Sequence, residues 1–161
     1  ARMHSYYLRQ MYLNNRLVKP DSLNLLGESI NLSEIDVPSF FLSARQDHIA
    51  KWKTTYKGAL ALGGDVRFVL SGSGHIAGVI NPPYKEKYGY WTNDTLVPDA
   101  DTWFEKSEHH PGSWWPQWLE WIARFSDGDV PARIPGEGKL PAIEDAPGSY
   151  VKVKAAEAVK Q

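Results

Sequence analysis

The chain contains no cysteine. Without a thiol it can form no disulfide, offer no thiolate ligand to a metal ion and supply no cysteine nucleophile to a reaction. It also has no excess of either charge, with 18 Lys and Arg against 19 Asp and Glu. The resulting net charge of -1 argues against nucleic acid or an anionic membrane as a partner, because such partners select basic surfaces.

Long apolar segments are missing as well. The sequence has no apolar run of the roughly 18 residues that a membrane-spanning helix needs. Residues 1–4 do not start the basic-then-apolar pattern of a secretory signal. We therefore expect a soluble chain that is not secreted and has no transmembrane segment. Its 161 residues suffice for one domain, and seven of its aromatic residues are Trp, four of them between positions 114 and 121.

Residues 1–70 show a regular order of helix and strand patterns. Apolar and aromatic residues at helical spacing predict a helix over 4–16, and two short β-like runs, 23–26 and 29–32, predict a hairpin that turns at Gly27 and Glu28. Next come an apolar run at 37–43, an amphipathic helical pattern at 51–62 and a second apolar run at 65–70.

The last three segments predict a βαβ unit. Such a unit places its two strands parallel in one sheet, and the loops that follow both strands open at the same sheet edge. In α/β proteins this edge carries the functional site. The sequence therefore predicts an α/β fold with parallel strands and flanking helices, and a site formed by loops 44–48 and 71–75.

The second half of the chain predicts two further helices and a tail. One helix near 99–108 would carry His109 and His110 at its end. The other starts at Ser113, and its Trp residues recur at spacings of three and four; such a stripe is more typical of a core than of a ligand platform. After residue 128 the sequence is rich in proline, glycine and charge, so we expect residues 129–161 to pack on domain 1–128 or to be partly disordered.

Asp47 and His75 are the residues with the clearest chemical potential. They have the types and the order of the acid and the histidine of a nucleophile–His–acid triad, in which the acid orients the imidazole and the imidazole takes a proton from the nucleophile. The alternative is structural: Asp47 caps the following helix and His75 is an ordinary loop residue. His48, beside Asp47, is either an accessory site residue or a cover for the loop.

No nucleophile within the chain completes such a triad. The sequence has neither a G-x-S-x-G nor a G-x-C-x-G elbow, and Ser71 and Ser73 stand beside His75 rather than between a strand and a helix. The histidines lack the spacing of metal ligands, so we expect no metal site. Residues 71–74 resemble a phosphate loop only superficially, because the Lys-Ser/Thr ending is absent.

Several motifs resemble one protein family. The most specific are S-A-R-Q-D-H-I at 43–49, S-G-H-I-A-G-V-I-N-P-P at 73–83 and G-S-W-W-P at 112–116, with shorter matches at 3–9, 36–38 and 146–152. They resemble the C-terminal part of the polyhydroxyalkanoate synthases, the polymerases that make the storage polyester poly(3-hydroxybutyrate). The segments at 76–83 and 113–116 are similar to the class I, short-chain branch. The spacing of 28 positions between Asp47 and His75 also looks like that of the family.

The resemblance implies an α/β-hydrolase-like catalytic domain with a Cys, Asp, His triad. Asp47 matches the acid and His75 the histidine, whereas the cysteine would precede residue 1, so we expect a fragment that does not polymerise by itself. In the family, the cysteine takes a 3-hydroxyacyl group from coenzyme A as a thioester and transfers it to the polyester, with no further cofactor. The implied partners are 3-hydroxybutyryl-coenzyme A, the polyester chain, the granule surface and a second copy in a homodimer.

Two other functional classes stay open. The Trp-rich helix and the tail could bind a polyester granule or a partner subunit without catalysis, and a serine hydrolase of the same fold would need an elbow serine that the sequence lacks. A fragment would also leave the strand runs 40–42 and 66–70 without neighbours. Unpaired strand edges favour association, which predicts a dimer or a swapped assembly at high concentration.

Overall fold

The computed structural model describes residues 1–155 of the chain. It divides into two compact units, Ala1–Phe125 and Ser126–Gln161. The second unit contains a 3-10 turn at Tyr150–Lys152. The predicted tail, residues 129–161, falls within this unit, and its last six residues lie outside the described part; its packing or partial disorder stays a prediction.

The first unit alternates helices with short strands. Two further 3-10 turns occur at Leu32–Glu34 and Pro83–Lys85. In chain order the elements are α1 (Arg2–Tyr7), a π-helical segment (Leu8–Leu13), β1 (Leu23–Leu25), β2 (Glu28–Ile30), β3 (Ser39–Ala44), α2 (Trp52–Ala59), β4 (Val66–Ser71), β5 (Tyr90–Thr92), α3 (Ala100–Glu105), β6 (Glu108–His110) and α4 (Trp115–Ala123). No helix among residues 1–155 has the length and apolarity needed to cross a membrane.

The predicted N-terminal helix and hairpin are both present. α1 and the π-helical segment together form one helical stretch that begins and ends slightly earlier than predicted. β1 and β2 pair antiparallel, with Leu23 opposite Ile30. The turn lies at Leu26 and Gly27, one residue earlier than the predicted Gly27 and Glu28, because Glu28 already pairs with Leu25. Leu26 and Gly27 have positive φ angles of 55° and 94°, as in the hairpin turns whose twist matches that of the strands.

The predicted βαβ unit is confirmed. β3 and β4 are parallel, with a register that runs from Ser39 opposite Val66 to Ala44 opposite Ser71. α2 connects them and buries Tyr56 and Ala59. The amphipathic pattern of residues 51–62 thus folds as a crossover helix, although the helix itself is shorter than the pattern.

The core of the first unit lies between the sheet and helices α2 and α3. Tyr56, Phe68 and Trp103 are fully buried, and the Phe68 ring lies 5.0 Å from that of Tyr56 and 5.1 Å from that of Trp103. Burying an aromatic or aliphatic side chain of this size contributes about 1.5–3 kcal/mol. These three rings therefore fix α2 and α3 on one face of β4.

Two short antiparallel strands complete the sheet, and the sequence does not predict them. β5 pairs with β4 and β6 pairs with β5, so the strand order is β3-β4-β5-β6. The α/β class is confirmed, but the expectation of parallel strands holds only for β3 and β4. His109 and His110 lie in β6 rather than at a helix end, because α3 already ends at Glu105. Strands of three residues are too short to show a recognisable alternation.

The mixed sheet also differs from the expectation about which strands lack a neighbour. β4 has neighbours on both sides, β3 and β5, so the expectation that residues 66–70 lack a partner is wrong. β3 is one edge strand of the four-stranded sheet and β6 is the other, and within the described residues no strand pairs with the outer side of β3. Of the two runs expected to lack neighbours, only β3 keeps an open edge, so the predicted association depends on that run and stays a prediction. The α/β-hydrolase-like fold of the family likewise stays a prediction.

Helix α4 is less buried than its Trp stripe suggests. None of its residues is buried, and Trp115 and Trp118 are 37% and 39% exposed. The stripe packs on Phe40 of β3, whose ring lies 5.2 Å from that of Trp118 and 5.5 Å from that of Trp121. The expectation that these indoles form a core is wrong for this chain, because one phenyl ring leaves much of their surface open.

Candidate active site

The loops that follow β3 and β4 are hydrogen-bonded to each other. The Arg45 amide donates to the Ser71 carbonyl at 2.8 Å and the Gln46 amide to the Ser73 carbonyl at 2.9 Å, so the parallel ladder continues beyond both strands. Ser73 has a φ of 67°, a left-handed conformation that is uncommon for a residue with a side chain. This turn leads the backbone to His75.

Asp47 and His75 meet at this edge of the sheet. His75 Nδ1 lies 2.8 Å from Asp47 Oδ2. The Asp47 side chain is only 7% exposed, whereas 47% of the His75 side chain is exposed. The structure thus brings together the two residues that sequence reasoning selected, and their catalytic role stays a prediction.

The second carboxylate oxygen of Asp47 holds its own loop. Asp47 Oδ1 accepts hydrogen bonds from the backbone amides of Ile49, at 2.8 Å, and Ala50, at 2.9 Å. The structural alternative for Asp47 is therefore wrong as stated. Asp47 caps the turn at 48–50, whereas α2 begins at Trp52 and its N-cap, Lys51, makes no side-chain cap.

The hydrogen bonds around Asp47 determine its charge. The bond with His75 is the largest effect on the pKa of the Asp47 carboxyl and lowers it below its ordinary value of 3.8. Burial, the next largest effect, raises this pKa, and the Ala50 and Ile49 amides lower it. Asp47 is therefore a carboxylate at neutral pH and can only accept. His75 Nδ1 must carry the proton of this bond, which leaves Nε2 of the neutral imidazole as a proton acceptor.

Nε2 of His75 is available to a reaction partner. Among residues 1–155 no group forms a hydrogen bond with it, and about half of the His75 side chain is open to solvent. An ionised acid on one ring nitrogen and an open position at the other are what an oriented general base requires, and this role of His75 stays a prediction.

The segment after His75 packs tightly against the strand ends. The Gly78 amide donates to the Gly74 carbonyl at 2.9 Å, which closes a turn directly behind His75. A Cβ at position 78 would lie 2.5 Å from the Gly72 carbonyl oxygen and 2.8 Å from Cβ of Ala44. Only glycine fits this position without displacing the turn.

An apolar groove adjoins this turn. It has a volume of about 630 Å³ and contains no charged residue. One wall comes from the segment that follows His75 and the other from α4 and the residues before it. The lining residues are Val79, Ile80, Pro83, Trp114, Trp115, Pro116, Trp118 and Leu119.

The other histidines of the chain contribute to the site less directly or not at all. His48 is exposed, and its side chain forms no hydrogen bond within the described residues, so its accessory role stays a prediction. His110 bonds to Thr92 Oγ1 at 2.8 Å and stacks on Tyr90, and His109 packs on Trp91. No group of three or more His, Asp or Glu side chains in residues 1–155 is arranged to hold a metal ion.

Sequence reasoning missed two residues that shape the site. The Arg45 guanidinium lies 4.7 Å from the ring centre of Phe104 and 5.1 Å from that of Trp91, which fixes the start of the Asp47 loop. Asn81, 1% exposed, donates to the Lys87 carbonyl at 2.7 Å. Neither contact follows a local pattern, because Arg45 and its partners come from separate elements and the hydrogen bonds of the Asn81 side chain go to backbone carbonyls.

Known proteins are similar in sequence to nearly the whole chain. No protein-family model matches it. It is 48% identical over 155 residues to the poly(3-hydroxyalkanoate) polymerase subunit PhaC of Rhizobium meliloti, which covers 96% of this chain and 25% of that protein. It is 44% identical over 154 residues to PhaC of Cupriavidus necator, covering 94% and 26% of the two chains.

A third relative is more distant. Poly(3-hydroxyalkanoate) polymerase 2 of Ectopseudomonas oleovorans is 42% identical over 138 residues, which are 85% of this chain and 25% of that protein. The chain thus spans about a quarter of the length of these relatives. The family resemblance predicted from the motifs is confirmed.

Proposed function

We propose that the chain supplies the acid and the histidine of an acyl-transfer site that makes polyester. Nearly the whole chain is similar to a segment that makes up about a quarter of the length of each poly(3-hydroxyalkanoate) polymerase it matches. The single observation that carries this proposal is the 2.8 Å contact between His75 Nδ1 and the nearly buried Asp47 carboxylate, with Nε2 of His75 open. In this proposal Asp47 orients His75, and His75 is the general base.

The nucleophile is a cysteine thiol from outside these 161 residues, since the chain has none. In the first step His75 Nε2 accepts the thiol proton while the sulfur attacks the thioester carbonyl of a 3-hydroxyacyl-coenzyme A, with 3-hydroxybutyryl as the expected acyl group. The bond between that carbonyl and the sulfur of coenzyme A breaks. The leaving thiolate takes the proton from the imidazolium, so the histidine is neutral again.

The second step extends the polyester. His75 Nε2 accepts the proton of a 3-hydroxyl group, and the hydroxyl oxygen attacks the carbonyl of the enzyme thioester. A C–O ester bond forms, the C–S bond breaks and the cysteine thiolate recovers the proton. In both steps the Asp47 carboxylate stabilises the imidazolium, because the hydrogen bond at Nδ1 becomes a bond between opposite charges.

The apolar groove beside the His75 loop favours the binding of an uncharged part of the substrate. Its eight lining residues include no charged side chain. A polyester has no charge and no hydrogen-bond donor along its repeating units, so it loses little by leaving water for such a surface. The anionic coenzyme A portion would have to bind elsewhere.

A chimera tests the proposal. This chain would replace the matching quarter of a relative polymerase that retains its cysteine, and incorporation of radiolabelled hydroxybutyryl units would be measured. We expect the chimera to polymerise, His75→Gln to abolish incorporation, and His4→Gln, a change on the exposed N-terminal helix, to leave it unchanged. Polymerisation by the His75→Gln chimera would refute the proposed general base.

A second candidate function is binding to the polyester without catalysis. The open apolar side of α4 favours it, since Leu119 is 67% exposed, Ile122 38% and Phe125 51%. Adsorption of the chain to poly(3-hydroxybutyrate) particles measures this function. Binding that is lost in Leu119→Glu, without any dependence of polymerisation on His75 in the chimera, would favour the binding module over the catalytic proposal.

The remaining partners of the proposal come from the resemblance. We propose that the chain acts in the cytoplasm at the surface of polyester granules, requires no cofactor or metal beyond the coenzyme A thioester, and associates as a homodimer. Fractionation of granules from cells that express the tagged chimera tests the location. A tag found only in the granule-free fraction would contradict it.

A further inference from the structure

We propose that Trp114 and Trp115 are positioning residues, whose indole N–H groups hold the loop that carries His75. Trp114 Nε1 donates to the carbonyls of Gly78, at 3.2 Å, and Val79, at 3.1 Å. Trp115 Nε1 donates to the same Val79 carbonyl at 3.1 Å. Two consecutive indoles thus bind two consecutive carbonyls of one short turn.

Burial alone does not hold this turn. Ile76 is 68% exposed, Val79 37% and Ile80 64%, so the apolar side chains that follow His75 contribute little to fixing it. A loop with few buried apolar contacts opens easily unless polar contacts restrain it. The indole hydrogen bonds are contacts of this kind.

The restraint reaches His75 through a single residue, Gly78. The Gly78 carbonyl accepts from Trp114, and the Gly78 amide donates to the carbonyl of Gly74, the residue before His75. The same glycine rests against Ala44 and Gly72, at the ends of β3 and β4. A shift of Gly78 away from the indoles would therefore move the backbone of His75 relative to Asp47.

Asn81 fixes the far end of the turn to the segment that carries the indoles. Its side-chain amide donates to the Lys87 carbonyl at 2.7 Å and lies 3.5 Å from the carbonyl of Gly112, two residues before Trp114. The His75 loop is consequently tied to the start of α4 at two places. Trp114 and Trp115 thus hold the His75 loop, a role that their position in a Trp-rich segment does not by itself indicate.

This inference deepens the proposed function, because it concerns the placement of the proposed base. The test therefore measures the Asp47–His75 hydrogen bond in the 161-residue chain without turnover. If acyl transfer fails in the chimera but the hydrogen bond depends on the indoles, the proposed function fails and this inference stands. If the chimera transfers acyl groups but the hydrogen bond does not depend on the indoles, this inference fails and the proposed function stands.

The decisive change removes only the N–H groups. Benzothienylalanine, which replaces the indole nitrogen by sulfur, would be incorporated at both 114 and 115. The matched control is the same replacement at Trp121, whose buried Nε1 has no hydrogen-bond partner within the described residues. Far-UV circular dichroism would establish that both variants fold like the unmodified chain.

The readouts are the low-field proton resonance of the Asp47–His75 hydrogen bond and the pKa of the Asp47 carboxyl. We expect the 114/115 variant to lose or broaden the resonance and to raise the Asp47 pKa towards its ordinary value. Each lost N–H should shift the equilibrium between the held and the released loop about fivefold, the ratio for a hydrogen bond of average net strength. The Trp121 variant should match the unmodified chain.

Two results would overturn the inference. One is an unchanged resonance and an unchanged Asp47 pKa in a folded 114/115 variant. The other is an equal loss in the Trp121 variant, which would show that general packing of the stripe, rather than the two N–H groups, places the loop. If the 114/115 variant does not fold, Trp114→Phe and Trp115→Phe measured singly give the same comparison against Trp121→Phe.

Discussion

His75 Nδ1 contacts one oxygen of the Asp47 carboxylate at 2.8 Å, while the other oxygen accepts the amides of Ile49 and Ala50. One side chain therefore shapes its own loop and orients the histidine of the neighbouring loop. Because both oxygens are occupied by donors, the carboxylate has little freedom to rotate. The ring of His75 is consequently presented in one orientation and one tautomer.

Replacing Asp47 by Asn should preserve the shape of the site and reverse the tautomer. The Asn oxygen can still accept from Ile49 and Ala50, but its amide then donates to Nδ1 of His75 and moves the imidazole proton to Nε2. We expect the ring-nitrogen NMR signals of His75 to show this exchange, and polymerisation by the chimera to fall about 10⁴-fold, as in other triads with this change.

Asp101→Asn is the control for this change, because Asp101 is an exposed carboxylate that pairs with Lys53 at the surface. It should alter neither the tautomer nor the rate. An Asp47→Asn chimera with full activity would contradict the orienting role of Asp47.

The lowered pKa of Asp47 predicts how its contribution to stability varies with pH. A carboxyl whose pKa is lower in the folded than in the unfolded chain stabilises the fold above the unfolded value, here 3.8, and this stabilisation is lost as pH falls through the folded pKa. Asp47→Asn should therefore lower the free energy of unfolding at pH 7, and this difference should shrink as the pH falls below 3.8 and through the lower pKa of the folded chain. Urea unfolding of both chains at several pH values measures the difference, and a pH-independent difference would contradict the prediction.

Gly78→Ala should displace the turn behind His75. The added Cβ would lie 2.5 Å from the Gly72 carbonyl oxygen, so the backbone must move. We expect a loss of about 1–3 kcal/mol in the free energy of unfolding, typical of overpacking, together with loss of the Asp47–His75 proton resonance.

Gly58→Ala is the matched control for the glycine substitution. Gly58 lies inside α2, and a Cβ there meets nothing within 4 Å. This change should stabilise the chain by about 0.5–1 kcal/mol, because alanine loses less conformational freedom than glycine in a helix. Equal stabilisation by the two substitutions in thermal unfolding would be inconsistent with the packing described for Gly78.

Tyr56→Phe should weaken the core beneath the site. The Tyr56 hydroxyl donates to the Val97 carbonyl at 2.7 Å and accepts the Val97 amide at 3.0 Å. Removal of the hydroxyl leaves both backbone groups of the partly buried Val97 without their partner, which costs about 1–3 kcal/mol. Tyr84→Phe, at a residue that is 81% exposed, should change the free energy of unfolding very little, and urea titrations compare the two.

The open edge of β3 predicts association of the chain. The amides of Ser39 and Arg45 donate to the segment around β4, and alternation along the strand turns the amide of Leu42 to the outer side. We expect a dimer at high concentration in sedimentation experiments. Leu42→Pro removes an outward N–H and should yield a monomer, since proline blocks an edge without breaking the inner ladder. Leu42→Ala should still dimerise, and a monomeric unmodified chain at all concentrations would contradict the prediction.

The part of the fold that was predictable from sequence is the part with local periodicity. The crossover helix α2 shows its apolar face in the spacing of Trp52, Tyr56 and Ala59, and the strands on either side are continuous apolar runs. The meeting of Asp47 and His75 follows from that unit alone, because its two parallel strands end at one edge. Strands β5 and β6 have only three residues each, and their pairing depends on contacts with β4 that no local pattern encodes.

The Trp stripe shows a different limit of sequence reasoning. Its spacing predicts which side of α4 is aromatic, but not what that side packs against. Trp118 and Trp121 pack on Phe40 and on each other, and the indole nitrogens of Trp114 and Trp115 turn to backbone carbonyls. A hydrogen bond to backbone leaves no signature in the partner's sequence, so these contacts could not be foreseen.

The antiparallel pairing of β4 with β5 has a consequence for how the site can vary. The Gly72 amide donates to the Gly89 carbonyl at 2.8 Å, so the chain between these glycines leaves the sheet and returns to it at one point. Residues 73–88 form a loop that this hydrogen bond closes at its base, and His75 lies near the N-terminal end of the loop. Residues inserted in its distal part cost little closure entropy and leave the base intact. The loop at 73–88 can therefore change in length, and in the molecules that it admits to the site, while Asp47 and His75 stay together.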